Sequence, residues 1–300
     1  MSQANDVAAL SVTREGTQKS FPTAEEMIAR HATGLIDHTS LGLDDTEDKI
    51  LALVDAAVAE ESHTAAVCIY PKLVKFIRGL QAKHPDKYPR SLKVCTVVNF
   101  PLGNEPMAKV VADTKQAVQD GADEIDVVID YKLLKEDKQR GCDAAKALVK
   151  AVRAECPEGK VVLKVIIESG ELSREPLFAA ASESAIAGGC DFVKTSTGKV
   201  KVNATLEAAR VMLKTVVVCR TAASGGRVVG FKAAGGVRDV HQAQQYLELA
   251  AEVLLGDPAQ LRDIDARLLR FGASSLLPSL RGVASGAGRK RKADALGAGY

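Results

Sequence analysis

Residues 161–168 read Val-Val-Leu-Lys-Val-Ile-Ile-Glu, a β-branched run interrupted by Lys164 and closed by Glu168. It is too short for an ordinary helix, and apolar residues fill both alternating sets of positions. It therefore reads as a strand covered on both faces. Working outward, the same kind of run recurs at Gly34–Asp37, Ala65–Tyr70, Leu92–Phe100, Glu124–Asp130, Asp191–Thr195, Arg227–Lys232 and Arg270–Ser274. Helical patterns fill the gaps. In Glu47–Glu60 the apolar positions Ile50, Leu53, Val54, Ala57 and Val58 form one stripe, and Asp44 with Glu47 reads as a capping box. Asn203 reads as the N-cap of a stripe through Leu206, Ala209, Leu213 and Val216. Another stripe follows Asp239, through Val240, Ala243, Leu247, Ala250, Ala251 and Leu254.

Eight strand–helix alternations imply right-handed βαβ units, and eight such units can close into a single-domain (β/α)8 barrel, the TIM-barrel form of the α/β class. The alternative is an open doubly wound sheet. Against it, no Gly-x-Gly-x-x-Gly follows the first run. The expected boundaries are an N-terminal extension over 1–30, the barrel over 31–281 and a flexible Gly/Ala/Ser-rich tail over 282–300. The tail holds a basic cluster, Arg289–Lys292. It reads as a solvated segment, with nuclear import or polyanion binding as alternatives.

Composition excludes several classes. Among 300 residues, 40 basic and 38 acidic side chains leave a net charge of +2, which argues against bulk binding of nucleic acid. No apolar run approaches the roughly 18 residues of a spanning helix, so no membrane role is expected. The N-terminus lacks the pattern of a secretory signal. Six cysteines without a Cys-x-x-Cys pair read as reduced thiols of a cytoplasmic protein. Five histidines include no His-x-x-x-His, so neither a metal nor a cofactor is expected. A homodimer is compatible with the sequence, as is a monomer.

In a barrel the reactive side chains belong at the C-terminal ends of the strands. The sixth run ends Lys194-Thr-Ser-Thr-Gly198-Lys199, the seventh reaches Lys232, and the fourth carries Asp126. A lysine within an apolar strand is costly unless its charge is paired or lost. Lys194 and Lys232 lie on neighbouring strands. Two ammonium groups about 5 Å apart repel by roughly 3 kcal/mol at an effective dielectric of about 20. That is on the order of two pKa units, and partial burial acts in the same direction. One lysine could then attack a carbonyl near neutral pH, with Asp126 shuttling protons. Taken singly, each lysine is better explained as a strand-end side chain reaching solvent or pairing with an acid; the two together with Asp126 favour the catalytic reading.

A second signal is anion binding. Gly235-Gly236 follows the seventh run and Ser274-Ser275 the eighth, where barrels often hold phosphate. Gly198 and Lys199 could complete the cradle.

With these residues in view, the sequence resembles the deoxyribose-phosphate aldolases, which are class I Schiff-base aldolases. The matching segments are Leu35–Thr39, Ala66–Pro71, Asn99–Gly103, Gly121–Val128, Leu163–Glu168, Asp191–Lys199, Gly230–Val237 and Phe271–Leu277. They run in family order across nearly the whole chain. The resemblance implies reversible cleavage of 2-deoxy-D-ribose 5-phosphate to acetaldehyde and D-glyceraldehyde 3-phosphate. It makes Lys194 the Schiff-base lysine, Lys232 the cation that tunes it, and Asp126 the acid/base working with Lys232 through a water. Gly198, Lys199, Gly235, Gly236, Ser274 and Ser275 would surround the phosphate, and Thr197 would also bind substrate. Asp37 and Thr39 would line the sugar site, with Cys68 near it, and Lys164 would be a nearby cation. Tyr300 is expected either to be a disordered end or to fold over the site and help move the C2 proton. Competing readings are another Schiff-base phosphosugar aldolase, an isomerase, or a non-catalytic binding protein on the same barrel.

Overall fold

Each of the eight runs forms a strand in the computed structural model, which describes residues 22–58, 63–222 and 227–286. The strands are β1 (Ile36–Thr39), β2 (Ala66–Ile69), β3 (Lys93–Val98), β4 (Glu124–Val128), β5 (Val162–Ile166), β6 (Phe192–Lys194), β7 (Gly230–Ala234) and β8 (Leu269–Ala273). All pair in parallel with their sequence neighbours, and β8 pairs with β1, so the sheet closes. The expected (β/α)8 barrel is the fold observed, and the open-sheet alternative is set aside. Among the described residues no helix is long and apolar enough to cross a membrane.

Pleating divides each strand between two environments. Residues such as Ile125, Val127, Leu163, Val165, Val193, Phe231 and Phe271 join the large apolar core between barrel and helices. Inside the barrel the apolar cluster is small, comprising Leu41, Ala66, Cys68, Cys95 and Val97 on the β1–β3 side. The remaining interior is filled by charge. Register sets up that interior: Asp126 is opposite Lys164, Lys194 opposite Lys232, and Lys232 opposite Arg270.

Two expected caps lie elsewhere. The helix Glu47–Val58 is capped by Thr46, whose Oγ1 accepts from the Lys49 amide at 3.4 Å, while Asp44 pairs with the Lys49 side chain. The helix Leu206–Ala222 is capped by Thr205, whose Oγ1 accepts from the Ala208 amide at 3.1 Å. Asn203 is therefore not its cap. Asp239 caps Val240–Leu255, accepting from Gln242 N at 2.8 Å. Residues 24–30 form most of a helix, Ala24–Thr33, with a Thr23/Glu26 capping box and buried Ile28, Ala29 and Ala32 packed into the core. Its apolar stripe is short, and its mixed polarity hides it in the sequence. At the other end the helix Leu276–Ala284 runs past residue 282. Tyr300 and Arg289–Lys292 lie outside the described residues.

Candidate active site

Four cations and three carboxylates meet within the barrel. Asp126 on β4 is the hub: its Oδ2 accepts from Lys194 Nζ at 2.7 Å and Lys232 Nζ at 2.8 Å. Its Oδ1 accepts from Lys164 Nζ at 3.0 Å and from the Cys95 thiol at 3.2 Å. Lys232 also meets Asp37 Oδ2 at 2.5 Å, and Lys164 meets Glu124 Oε2 at 2.5 Å. Arg270 closes the ring, reaching Asp37 Oδ1 at 2.6 Å and Glu124 Oε1 at 3.1 Å. Asp37, Asp126, Lys164 and Lys232 are wholly buried. Ions so placed persist only when paired and hydrogen-bonded, and here each carboxylate serves at least two cations.

The electrostatics follow. Burial alone would push the Asp126 carboxyl up, but Lys164, Lys194 and Lys232 outweigh it and hold the group well below the usual range. Asp37 behaves in the same way, with burial opposed by Lys232, Lys164 and Arg270. Burial would push Lys232 down, but Asp126 and Asp37 outweigh it and raise it; Lys164 is likewise raised, chiefly by Asp126 among its neighbours. Lys232 and Lys164 are thus cations, and Asp126 an anion, in the resting protein. The sequence suggests two bare amines side by side. Instead, a carboxylate sits between them, because Asp126 projects inward at the height of both.

Above the network opens a cavity of about 700 Å³ at the C-terminal ends of the strands. Lys194 is the one member of the network that lines it. Its walls include Gly198, Lys199, Gly235, Gly236, Ser274 and Ser275, the residues expected at the phosphate, together with Thr197 and with Thr39, expected at the sugar site. Gly198, Gly235 and Gly236 have φ of 81°, 74° and 90°, a left-handed backbone that glycine tolerates. Ser275 precedes the helix Leu276–Ala284, so that helix's free N–H groups lie by the cradle. Lys199 Nζ bonds the Leu41 carbonyl at 2.7 Å across the mouth. Asp37 and Cys68, expected at the sugar site, lie beneath the cavity in the barrel interior, and Lys164 is deeper still in the network.

Several site residues escape the sequence reading. Glu124, Arg270 and Cys95 belong to the network. Asn203, Ser40 and Arg238 line the cavity. Glu168 stands at φ 52°, where its buried carboxylate accepts from Thr197 Oγ1 at 2.5 Å, while Thr197 Oγ1 accepts from the Lys199 amide at 3.0 Å. Burial pushes the Glu168 carboxyl up. The polar Glu168 that ends an apolar strand and the Arg270 that opens another are the signals that could have flagged them. Cys95 carries no such mark.

Cysteine and carboxylate groups also cluster here, as Cys68, Cys95 and Asp126, and as Asp37, Cys95 and Glu124. Lysine amines already occupy those carboxylates, so the donor set fits cations of the protein itself rather than a metal ion.

A closed parallel barrel that sets one amine between a buried carboxylate and a cavity with an anion cradle has the architecture of the barrel aldolases. Residues 32–286 match the DeoC/LacD family aldolase model, and the chain belongs to that family. Its fold is similar to a Toxoplasma gondii ME49 protein described as a deoxyribose-phosphate aldolase, at 25% identity and a TM-score of 0.77, over 87% of this chain and 97% of that one. A Coccidioides immitis protein of the same description matches at 26% identity and a TM-score of 0.64, over 84% and 87%. The deoxyribose phosphate aldolase of Aeropyrum pernix, described as tetrameric, shares the fold at 23% identity and a TM-score of 0.61, over 88% and 99%.

Proposed function

We propose that this aldolase reversibly cleaves 2-deoxy-D-ribose 5-phosphate to acetaldehyde and D-glyceraldehyde 3-phosphate through an imine on Lys194. One observation carries the reading: Lys194 alone joins the charge network to the cavity. Three carboxylates balance three of the four network cations. Lys194 is the network cation that faces the cavity, where a substrate carbonyl can reach it.

The neutral Lys194 amine adds to the open-chain aldehyde at C1, and loss of water leaves an iminium that serves as an electron sink. The C3 hydroxyl gives up its proton, the C2–C3 bond breaks, and its electron pair passes into an enamine on Lys194. Glyceraldehyde 3-phosphate leaves. The enamine is protonated at C2, and water releases acetaldehyde and the free amine. Asp126, anionic at rest and bonded to Lys194, accepts and returns protons. Lys232 stays cationic and keeps Asp126 in place. The turns at Gly198, Gly235–Gly236 and Ser274–Ser275 hold the phosphate, and the carbonyl end then points toward Lys194. Both products are small molecules of intermediary metabolism, in keeping with a role in deoxyribose phosphate breakdown in the cytoplasm.

The test is turnover of deoxyribose 5-phosphate by the wild-type protein and by Lys194→Arg, with EDTA present. Arginine keeps the charge but forms no imine. Activity confined to the wild type, with an ethyl adduct on Lys194 after acetaldehyde and borohydride, supports the reading. Turnover by Lys194→Arg, or active protein that yields no adduct, overturns it.

A further inference from the structure

We infer that Asn203 is a specificity-determining residue, its side-chain oxygen accepting a hydrogen bond from a hydroxyl on the substrate carbon next to the one that bears the phosphate. The inference rests on the proposed sugar-phosphate reaction and deepens it. Asn203 has no part in starting the helix that follows, because Thr205 caps that helix. It lines the cavity beside Gly235 and Gly236. Its Nδ2 donates to the Val200 carbonyl at 3.1 Å, which settles which end of the amide faces which way. The remaining atom, Oδ1, is buried and has no hydrogen-bond partner. A buried acceptor left unpaired is destabilising, so a partner supplied by a ligand has a clear energetic role.

The surroundings hold Asn203 rigidly. The Ala204 amide donates to the Gly235 carbonyl at 3.3 Å, which ties this segment to the β7 turn. A Cβ on residue 235 would lie 2.8 Å from Asn203 Cβ and Cγ and 2.9 Å from Oδ1. Gly235 therefore has two reasons to be glycine: its φ of 74° and the approach of Asn203.

The chemistry of Oδ1 selects its partner. A carbonyl oxygen repels the oxygens of a phosphate dianion, so it does not hold the phosphate itself. It needs a donor. With the phosphate in the cradle and C1 at Lys194, the hydroxyl on the adjoining carbon is the donor nearest the cradle. The same oxygen would disfavour a carboxylate at that position.

The experiment runs the reaction in synthesis, with acetaldehyde as donor and two acceptors: D-glyceraldehyde 3-phosphate, and 3-phosphooxypropanal, which lacks the hydroxyl. Wild-type kcat/KM is expected to favour the hydroxylated acceptor by about five- to tenfold, the range of one neutral hydrogen bond. In Asn203→Ala that ratio should fall toward one. A misplaced loop or damaged fold would lower both acceptors together and leave the ratio standing, and that result overturns the proposal. So does a wild-type enzyme that treats the two acceptors alike, a measurement that needs no variant. Asn203→Ser repeats the ratio if the alanine variant fails to fold. Failure of the parent reading is distinct: the wild-type protein would turn over neither acceptor and form no borohydride-trapped adduct on Lys194.

Discussion

Lys194 and Lys232 face each other in register across β6 and β7 and donate to one and the same oxygen of Asp126, at 2.7 and 2.8 Å. The two nitrogens are thus within two hydrogen-bond lengths of each other, with the shared anion holding them together.

Lys232→Met removes a cation that Asp37 and Asp126 both hold. Breaking a buried pair from one side costs about 3–5 kcal/mol, so urea unfolding should show a loss of that order. Aldol turnover should fall at least about a hundredfold. Turnover that stays at the wild-type level would remove Lys232 from the catalytic network.

Asp126→Asn keeps the shape of the side chain but cannot take up a proton, and it leaves Lys164, Lys194 and Lys232 without their common anion. Turnover should drop by about 10² to 10⁴, the usual worth of a positioned acid/base. Stopped-flow or quench measurement of imine formation with acetaldehyde should show that step slowed as well.

Gly272 lies beside Lys232 on the neighbouring strand, and a Cβ there would meet Lys232 Cε and Ala234 Cβ at 3.0 Å. Gly272→Ala should push the Lys232 amine off its two carboxylates. The expected stability loss is about 1–3 kcal/mol, typical of overpacking, read by denaturant melts. A fall in kcat is expected with it, since Lys232 would leave Asp126 and Asp37.

His38 is buried, and that burial lowers its ring to about 4, from an ordinary 6.5. The folded state resists a proton that the unfolded chain accepts. Stability is therefore full above about pH 6.5, declines as pH falls, and levels off below about pH 4. The amount at stake is about 3 kcal/mol. His38→Gln, compared with wild type in denaturant titrations at pH 7, 5 and 4, should lack this part of the decline.

Much of this protein could be read before any coordinates. Hydrophobic period is a local property, so the runs around Val161–Glu168 and Asp191–Thr195 announce strands wherever they sit. Polar residues that end such runs, Lys194 and Asp126 among them, stand out because an apolar sheet does not accept them for packing alone. Local rules also misled. Asn203 has the residue type of a helix cap, but Thr205 occupies that position and the approach of Gly235 decides what Asn203 touches.

By itself, then, the sequence determined the alternation of strand and helix, the barrel that eight alternations close, and the lysines and turns at the strand ends. Only the tertiary structure decided who pairs with whom. Asp37 and Arg270 are 233 residues apart and meet because β8 closes on β1, and Glu124 joins Arg270 across the barrel interior. No spacing along a chain encodes such meetings. They follow from the closure and register of the sheet, and Coulomb attraction inside a dry interior then draws the charges into one network around Asp126.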